Sequence, residues 1–298
     1  MKNIINYFYN LYPENIFHNK NEYYFFINNI RYSFIKYLGD IKKIDKIYNM
    51  HLDILNKNMY VHPIILNKDN SPLTFFNNSY YVLMKTIYYG QKVNLNNIIP
   101  FTKIKTDLNN NNWANLWSLK NDYLEYQMSM LGRKHPLLRD SFSYFLGLGE
   151  TAIALANMVD GKSSYNVYAH KRICKNDTTF DLYNPLNIKV DLKVRDAAEY
   201  FKQSFFSGND INIELTNYLN SEVLTTYEYI MFFSRMLYPT YYFDIYEEII
   251  TGREDEKNIM KIINKVNDYE IILKSLYNHF KTFLNIFTIE WLEEQSAK

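Results

Sequence analysis

The sequence predicts an α+β fold in two lobes, a sheet-rich first part followed by a larger helical part. Three observations carry this. The first ninety residues hold runs of aromatic and β-branched side chains bounded by Asn-rich turns. From Trp113 onward the apolar residues recur mainly at helical spacing instead. With 298 residues, 47% of them apolar, the chain is long for one hydrophobic core and sufficient for two.

Glu22–Ile27 and Ile30–Tyr37 read as strands, with Asn28-Asn29 as the hairpin turn because Asn tolerates positive φ. Residues 40–55 switch to helical spacing, with Ile41, Ile44, Tyr48, Leu52 and Leu55 on one face and lysines opposite. Segments 61–66 and 80–87 read as strands around a turn at Asp69-Asn70-Ser71-Pro72. Gly90 ends this part, so the expected domains are an antiparallel-sheet lobe with one helix at 1–90 and a helical lobe at 91–298. In the second, Trp113, Leu116, Trp117, Lys120, Leu124, Gln127, Met128 and Leu131 trace a helical stripe behind an Asn run at 109–112 that supplies an N-cap. A helix is expected from Asp140 or Ser141 past Ala156, then strands within 165–192. Helices should follow over Arg195–Phe206, 222–237, 242–250 and 256–287. The REDEK run at 253–257 reads as a solvated helix start, its acids near the positive end of the dipole.

Charge excludes several classes of function. A formal net charge of +1 creates no global field to recruit nucleic acid or anionic lipid. The 29 Tyr and 20 Phe accompany abundant Asn, Ile and Lys, a composition that AT-rich coding produces without any stacking role. Cys174 is the single cysteine, so no intramolecular disulfide or cysteine metal cluster can form, which suits a reducing compartment. The opening MKNIINYFYN lacks the continuous apolar core of a secretion signal, and no apolar run is long enough to span a bilayer. The expectation is a soluble, cytoplasmic protein.

Gly147-Leu148-Gly149-Glu150-Thr151-Ala152 fits G-x-G-x-x-A, but no acid stands where the ribose partner should, near His170, and no βαβ unit surrounds it. Close helix packing explains these glycines better. The six histidines form no H-E-x-x-H and no i, i+4 pair, so no metal site is expected. Neither a G-x-S-x-G elbow nor a P-loop is present.

The most informative stretch is 165–202, where an apolar strand ends at His170, a loop and second strand follow, and Arg195-Asp196 opens a helix. With YVLMKTIYYG at 81–90, the W-x-x-L-W at 113–117 and YFLGLGETAIAL at 144–155, HKRI at 170–173 and VRDAAEYFK at 194–202 resemble the aminoglycoside/choline phosphotransferase superfamily. Within it, the chain is similar to the degenerate spore-coat branch of the CotS and YutH type. The resemblance implies a bilobal protein-kinase-like fold and, position by position, a disabled site around 165–196. A His-Gly-Asp opens the catalytic loop in the family; here His170, Lys171 and Arg172 stand there, and a guanidinium accepts no proton. Counting on, the metal-binding Asn falls at Asp177 and the second metal carboxylate at Asn184, a poor magnesium ligand. Asp191 is the acid nearest to that second role, although its place just before Arg195-Asp196 assigns it to the turn into the helix. Arg195 and Asp196 read as structural.

On the nucleotide side, Lys36 sits where the phosphate-pairing lysine would be, the one cofactor-binding candidate should any nucleotide binding survive. No glycine precedes Gly39 to make a phosphate loop, and 40–55 offers Asp45 and Asp53 but no Glu. What the resemblance implies is a pseudokinase with no cofactor or metal and weak or absent nucleotide binding. It would act by binding other proteins, as a coat or morphogenesis component if the host sporulates. Two alternatives stand: an active small-molecule phosphotransferase using Asp177 and Asp191 in displaced roles, and a generic globular interaction domain.

Overall fold

Two Asn-Asn pairs set the turns of the first sheet. In the computed structural model, which describes residues 1–19, 22–109, 112–159, 165–173 and 177–293, Asn28 and Asn29 have φ of 49° and 60°, and Asn77 and Asn78 have 47° and 55°. Consecutive left-handed residues make the turn whose twist matches antiparallel strands. The middle of the Asn run at 109–112, Cys174 and the C-terminal five residues lie outside the described residues.

The chain forms two compact units. One comprises Met1–Ile104 with His170–Arg172 and Asn176–Lys189; the other comprises Lys105–Ala169, Ile173–Lys175 and Val190–Lys298. The first begins with helix α1 (Lys2–Tyr9) and strands β1 (Phe17–Asn19), β2 (Glu22–Ile27) and β3 (Ile30–Tyr37). Then come α2 (Ile44–Asn56), β4 (Ile64–Ile65), β5 (Thr74–Phe76) and β6 (Ser79–Thr86). Strand order is β1-β2-β3-β6-β4 with β5 also on β6, every pair antiparallel. One sheet face buries Phe25, Phe34, Tyr81 and Leu83 against Ile5 of α1, with the Phe34 and Tyr81 rings stacked at 4.7 Å.

α2 buries Ile44, Ile47, Met50, His51 and Ile54, while Ile41 and Leu52 are exposed. The buried stripe is therefore rotated from the expected one. The chain carries two apolar stripes here, and the inward one includes His51, whose Nε2 accepts the N–H of Ile64 at 3.2 Å. The expected strand at 61–66 contracts to two residues because Pro63 has no N–H and the N–H of His62 goes to the Tyr183 carbonyl at 2.8 Å. The turn at 69–72 is organised by Asn67, whose Oδ1 accepts the N–H groups of Asp69 and Ser71.

This unit runs beyond residue 90, through the short helix α3 (Leu95–Ile98), for a hydrogen-bonding reason. The Val93 N–H donates to the Asp177 carbonyl and the Thr179 N–H to the Gln91 carbonyl, at 3.2 and 2.8 Å, so 91–104 packs with the later segment.

The second unit starts with β7 (Lys105–Thr106), α4 (Trp113–Leu131), capped by Asn112, and α5 (Pro136–Asn157). Pro136 begins α5 earlier than expected because proline suits a first turn, and Glu256 accepts the free Leu138 N–H at 3.0 Å. A Cβ on Gly149 would lie 2.9 Å from Nδ2 of Asn121, so this glycine does serve close helix packing. Strand β8 (Asn166–His170) leads to the short helix α6 (Thr179–Leu182), which belongs to the first unit, and then to β9 (Ile188–Leu192). β7-β8-β9 form a three-stranded sheet.

The remaining helices are α7 (Arg195–Phe206), α8 (Asn212–Ser221), α9 (Thr226–Leu237), α10 (Thr240–Ile250), α11 (Met260–Ile263), α12 (Val266–Lys281) and α13 (Glu290–Glu293). α9 starts at Thr226 rather than 222 because Thr225 and Glu228 form a reciprocal cap. In the REDEK run, Arg253 pairs with Glu248 and Asp255 caps a short 3₁₀ turn. Among the described residues no helix is long and apolar enough to cross a membrane.

Candidate functional site

In the first unit the described residues at the end of β8 and just after it are held by main-chain partners. His170 is buried; its Nε2 lies 2.8 Å from the Leu182 carbonyl, which can only accept, so that nitrogen carries the proton. Its ring stands edge-on to Phe101 at 4.7 Å. Lys171 donates its N–H to the Asn187 carbonyl and its ammonium to the Leu186 carbonyl, both at 2.7 Å. Arg172 is exposed and Asp177 half-buried. Asp181 caps α6 by accepting both the N–H and the hydroxyl of Thr178.

Asn184 is buried, and its Oδ1 accepts the Leu186 N–H at 3.0 Å, opening a 3₁₀ turn over Pro185–Asn187. Its oxygen is engaged in local backbone geometry. Lys36 is half-buried on β3 directly opposite Tyr81, on the sheet face that Phe34 shares with α1. Of the two α2 acids, Asp53 pairs with Lys57 at 2.7 Å.

Sequence reasoning did not find a relay that fastens the same segment to β6. His62 is fully buried, with Nε2 3.2 Å from the Phe180 carbonyl and Nδ1 3.0 Å from the Tyr60 hydroxyl. That hydroxyl also accepts the Ile87 N–H at 3.1 Å. The only consistent assignment runs Ile87 N–H to Tyr60 O–H to Nδ1, with the ring proton on Nε2. Burial, added to by the Arg31 charge and partly opposed by the Phe180 carbonyl, lowers the His62 pKa to about 4.

In the second unit Asp191 is the last residue but one of β9, inside the strand rather than in the turn into α7, and has no solvent exposure. Oδ1 accepts from the Trp113 indole at 2.8 Å, the Leu192 N–H at 2.8 Å and the Arg235 guanidinium at 3.0 Å. Oδ2 lies 3.4 Å from the Arg195 guanidinium. Both guanidiniums lie over the Trp113 ring, and Arg235 is itself buried. Asp196 is buried in the first turn of α7. Nearly two turns on, Lys202 is fully buried and donates to Glu199, the Tyr238 carbonyl and the Thr240 hydroxyl at 3.0, 3.1 and 2.9 Å. Burial pushes the Glu199 carboxyl up, but Lys202, Arg195 and Arg235 outweigh it and hold its pKa at about 2. The signal was legible: residues 195, 199 and 202 share one helix face, all charged, on a segment otherwise rich in small and aromatic residues.

Of the residues the sequence singled out, Asp191 and Arg195 meet in one ion network, and Arg235, which the sequence did not single out, completes it. Chemically, the cluster is a neutralised ion network, and a divalent cation approaching Asp191 would meet two guanidiniums first. Among the described residues no group of three His, Cys, Asp or Glu could hold a metal ion.

A family model described as "Spore coat putative kinase YutH" matches residues 2–276. The "Endospore coat-associated protein YutH" of Bacillus subtilis strain 168 is 26% identical over 216 residues, covering 62% of this chain and 62% of that protein. The match therefore spans less than two thirds of that relative's length. Among solved structures, an aminoglycoside phosphotransferase of Alicyclobacillus acidocaldarius has a TM-score of 0.73 at 13% identity, covering 95% of this chain and 97% of that one. A spectinomycin phosphotransferase, solved with ADP and spectinomycin, has a TM-score of 0.56 at 10% identity, covering 89% and 93%. At these identities the likeness establishes the fold alone: an antiparallel-sheet N-terminal region and a helical C-terminal region of the kinase-like phosphotransferase type.

Proposed function

The chain belongs to this spore-coat YutH family, and from that premise we propose that it is a non-catalytic, kinase-shaped component of the spore coat that acts by binding other proteins. Coat association is carried over from the name of the Bacillus subtilis relative. The observation that supports the absence of catalysis is the state of Asp191, held by Arg235, Arg195 and the Trp113 indole. Phosphoryl transfer draws its acceleration from positioning the nucleophile and neutralising phosphate charge. In this reading Arg172 replaces the acid that would position the nucleophile, and Asn184 replaces a metal carboxylate.

A second reading is an active small-molecule phosphotransferase using Asp177 and Asp191. It is favoured by the place of Asp191 at a strand end just ahead of Arg195-Asp196, and by the family's description as a kinase. Calorimetry with millimolar ATP and magnesium separates the two. The non-catalytic reading expects no saturable heat and no thermal stabilisation. A tight, magnesium-dependent signal that is lost on Asp191→Ala in a variant still folded by circular dichroism would make Asp191 a metal ligand, and phosphate transfer to a small-molecule acceptor would then establish the enzyme instead. The coat assignment is tested with a fluorescent fusion in sporulating Bacillus subtilis, expected at the spore periphery; diffuse fluorescence counts against it.

A further inference from the structure

Helix α4 is apolar on two nearly opposite sides. Its inward side buries Ala114, Trp117, Asn121 and Leu124. Its outward side carries Leu116, Leu119, Tyr123, Tyr126 and Met130, exposed by 38%, 58%, 49%, 66% and 65%. Those five positions follow one another at intervals of three, four, three and four residues, the spacing of a coiled-coil seam. A helix apolar all round belongs in an interior, yet half of this one faces solvent.

We propose that this outward face of α4 is a self-association surface, seating a second copy of the chain about a two-fold axis that crosses the stripe near Tyr123 and Tyr126. The spacing makes the stripe self-complementary, since each seam residue is a knob and each gap a hole for the copy opposite. The stripe contains no charge. Its flanks carry one acid, Asp122, and one base, Lys120, among Asn115, Gln127 and Ser129, so two copies meet without like-charge repulsion. A net charge of +1 adds no long-range barrier. The area is adequate: five large side chains per copy, each burying on the order of 100 Å², give roughly 1,000 Å² in total, where specific interfaces begin. An anionic membrane is the poorer occupant, because the face is bordered by Asp122 and by a Lys120 already paired with Glu247, where a lipid-binding helix carries rows of Lys and Arg.

Sedimentation velocity of the full chain across the micromolar range tests this. The wild type is expected to dimerise, and Leu119→Glu to weaken the dimer at least tenfold while leaving the circular dichroism spectrum and Tm in place. Tyr126→Lys, at the most exposed of the five positions, provides an independent disruption should the first variant misfold. A wild type that is monomeric at every concentration overturns the proposal and leaves a different protein as occupant. A dimer of unchanged affinity in both variants overturns it as well.

Discussion

At Asp191 one oxygen accepts from an indole, a guanidinium and a main-chain N–H together, while the other faces a second guanidinium. A metal ligand needs its lone pairs directed at the ion, whereas here they satisfy buried donors that have no water to turn to. Removing the negative charge should therefore register as stability. Asp191→Asn leaves the buried Arg235 cation uncompensated and is expected to cost about 3–5 kcal/mol in urea unfolding. Replacing Asp191 by Leu together with Arg235 by Met should cost less than the single change, because no unpaired charge then stays inside. A single variant as stable as the wild type would mean that the network carries no structural weight. Trp113, at the head of the helical stripe, is half-buried with its indole spent on the carboxylate, whereas Trp117 stacks on Tyr238 at 4.6 Å in the manner of a core residue.

Between elements, the α4–α5 contact depends on a glycine. Gly149→Ala places a methyl against Asn121, whose amide donates to Glu150 at 2.6 Å and accepts from the Tyr238 hydroxyl at 3.3 Å. The change should cost about 1–3 kcal/mol by overpacking. Gly147→Ala on the same helix, where a Cβ meets nothing within 4 Å, should be neutral or slightly stabilising in the same denaturant titration. Equal effects of the two would show that the close approach is not what Gly149 provides. Elements governed by local chemistry were legible in the sequence. β2, β3, their Asn-Asn turn and α7 fall where the sequence places them, because alternation, left-handed Asn and helical spacing are short-range signals. The Asn77-Asn78 turn carried the same signal and went unread. What escaped depends on tertiary partners: the rotated face of α2, decided by Ile64; the shortened strand at Ile64–Ile65, decided by Tyr183; and α1, whose Asn-interrupted apolar residues become a helix face only under the sheet. In the site, Asp191 and Arg195 could be found by spacing, but Arg235, 44 residues on from Asp191, could be found only by folding the chain.

Across the whole chain, the two units carry different acid-sensitive groups, and this predicts an order of unfolding. In the first unit burial lowers the pKa of both His51 and His62 to about 4, in each case against a weaker backbone hydrogen bond. Both rings are held neutral, since His51 Nε2 accepts an N–H and His62 Nδ1 accepts from Tyr60. Unfolding frees them to bind protons near pH 6.5. The unfolded state therefore holds more protons between about pH 6.5 and 4, and stability falls as pH drops through that window, by about 3 kcal/mol for each ring. In the second unit Glu199, held at about 2 against an ordinary 4.5, contributes stability present above pH 4.5 and lost as pH falls toward 2. The sheet unit should thus weaken first. All three tryptophans, at 113, 117 and 291, lie in the second unit, so their fluorescence reports that unit alone. Near pH 5, amide exchange in peptides from 22–86 should accelerate while tryptophan emission stays native, the emission shifting only below about pH 4. His62→Phe removes the titrating ring, and its pH slope between 6.5 and 4 should flatten even though the loss of the Phe180 and Tyr60 hydrogen bonds lowers stability at neutral pH. Coincident acid transitions for exchange and fluorescence, or an unaltered slope in that variant, would place the acid sensitivity elsewhere in the chain.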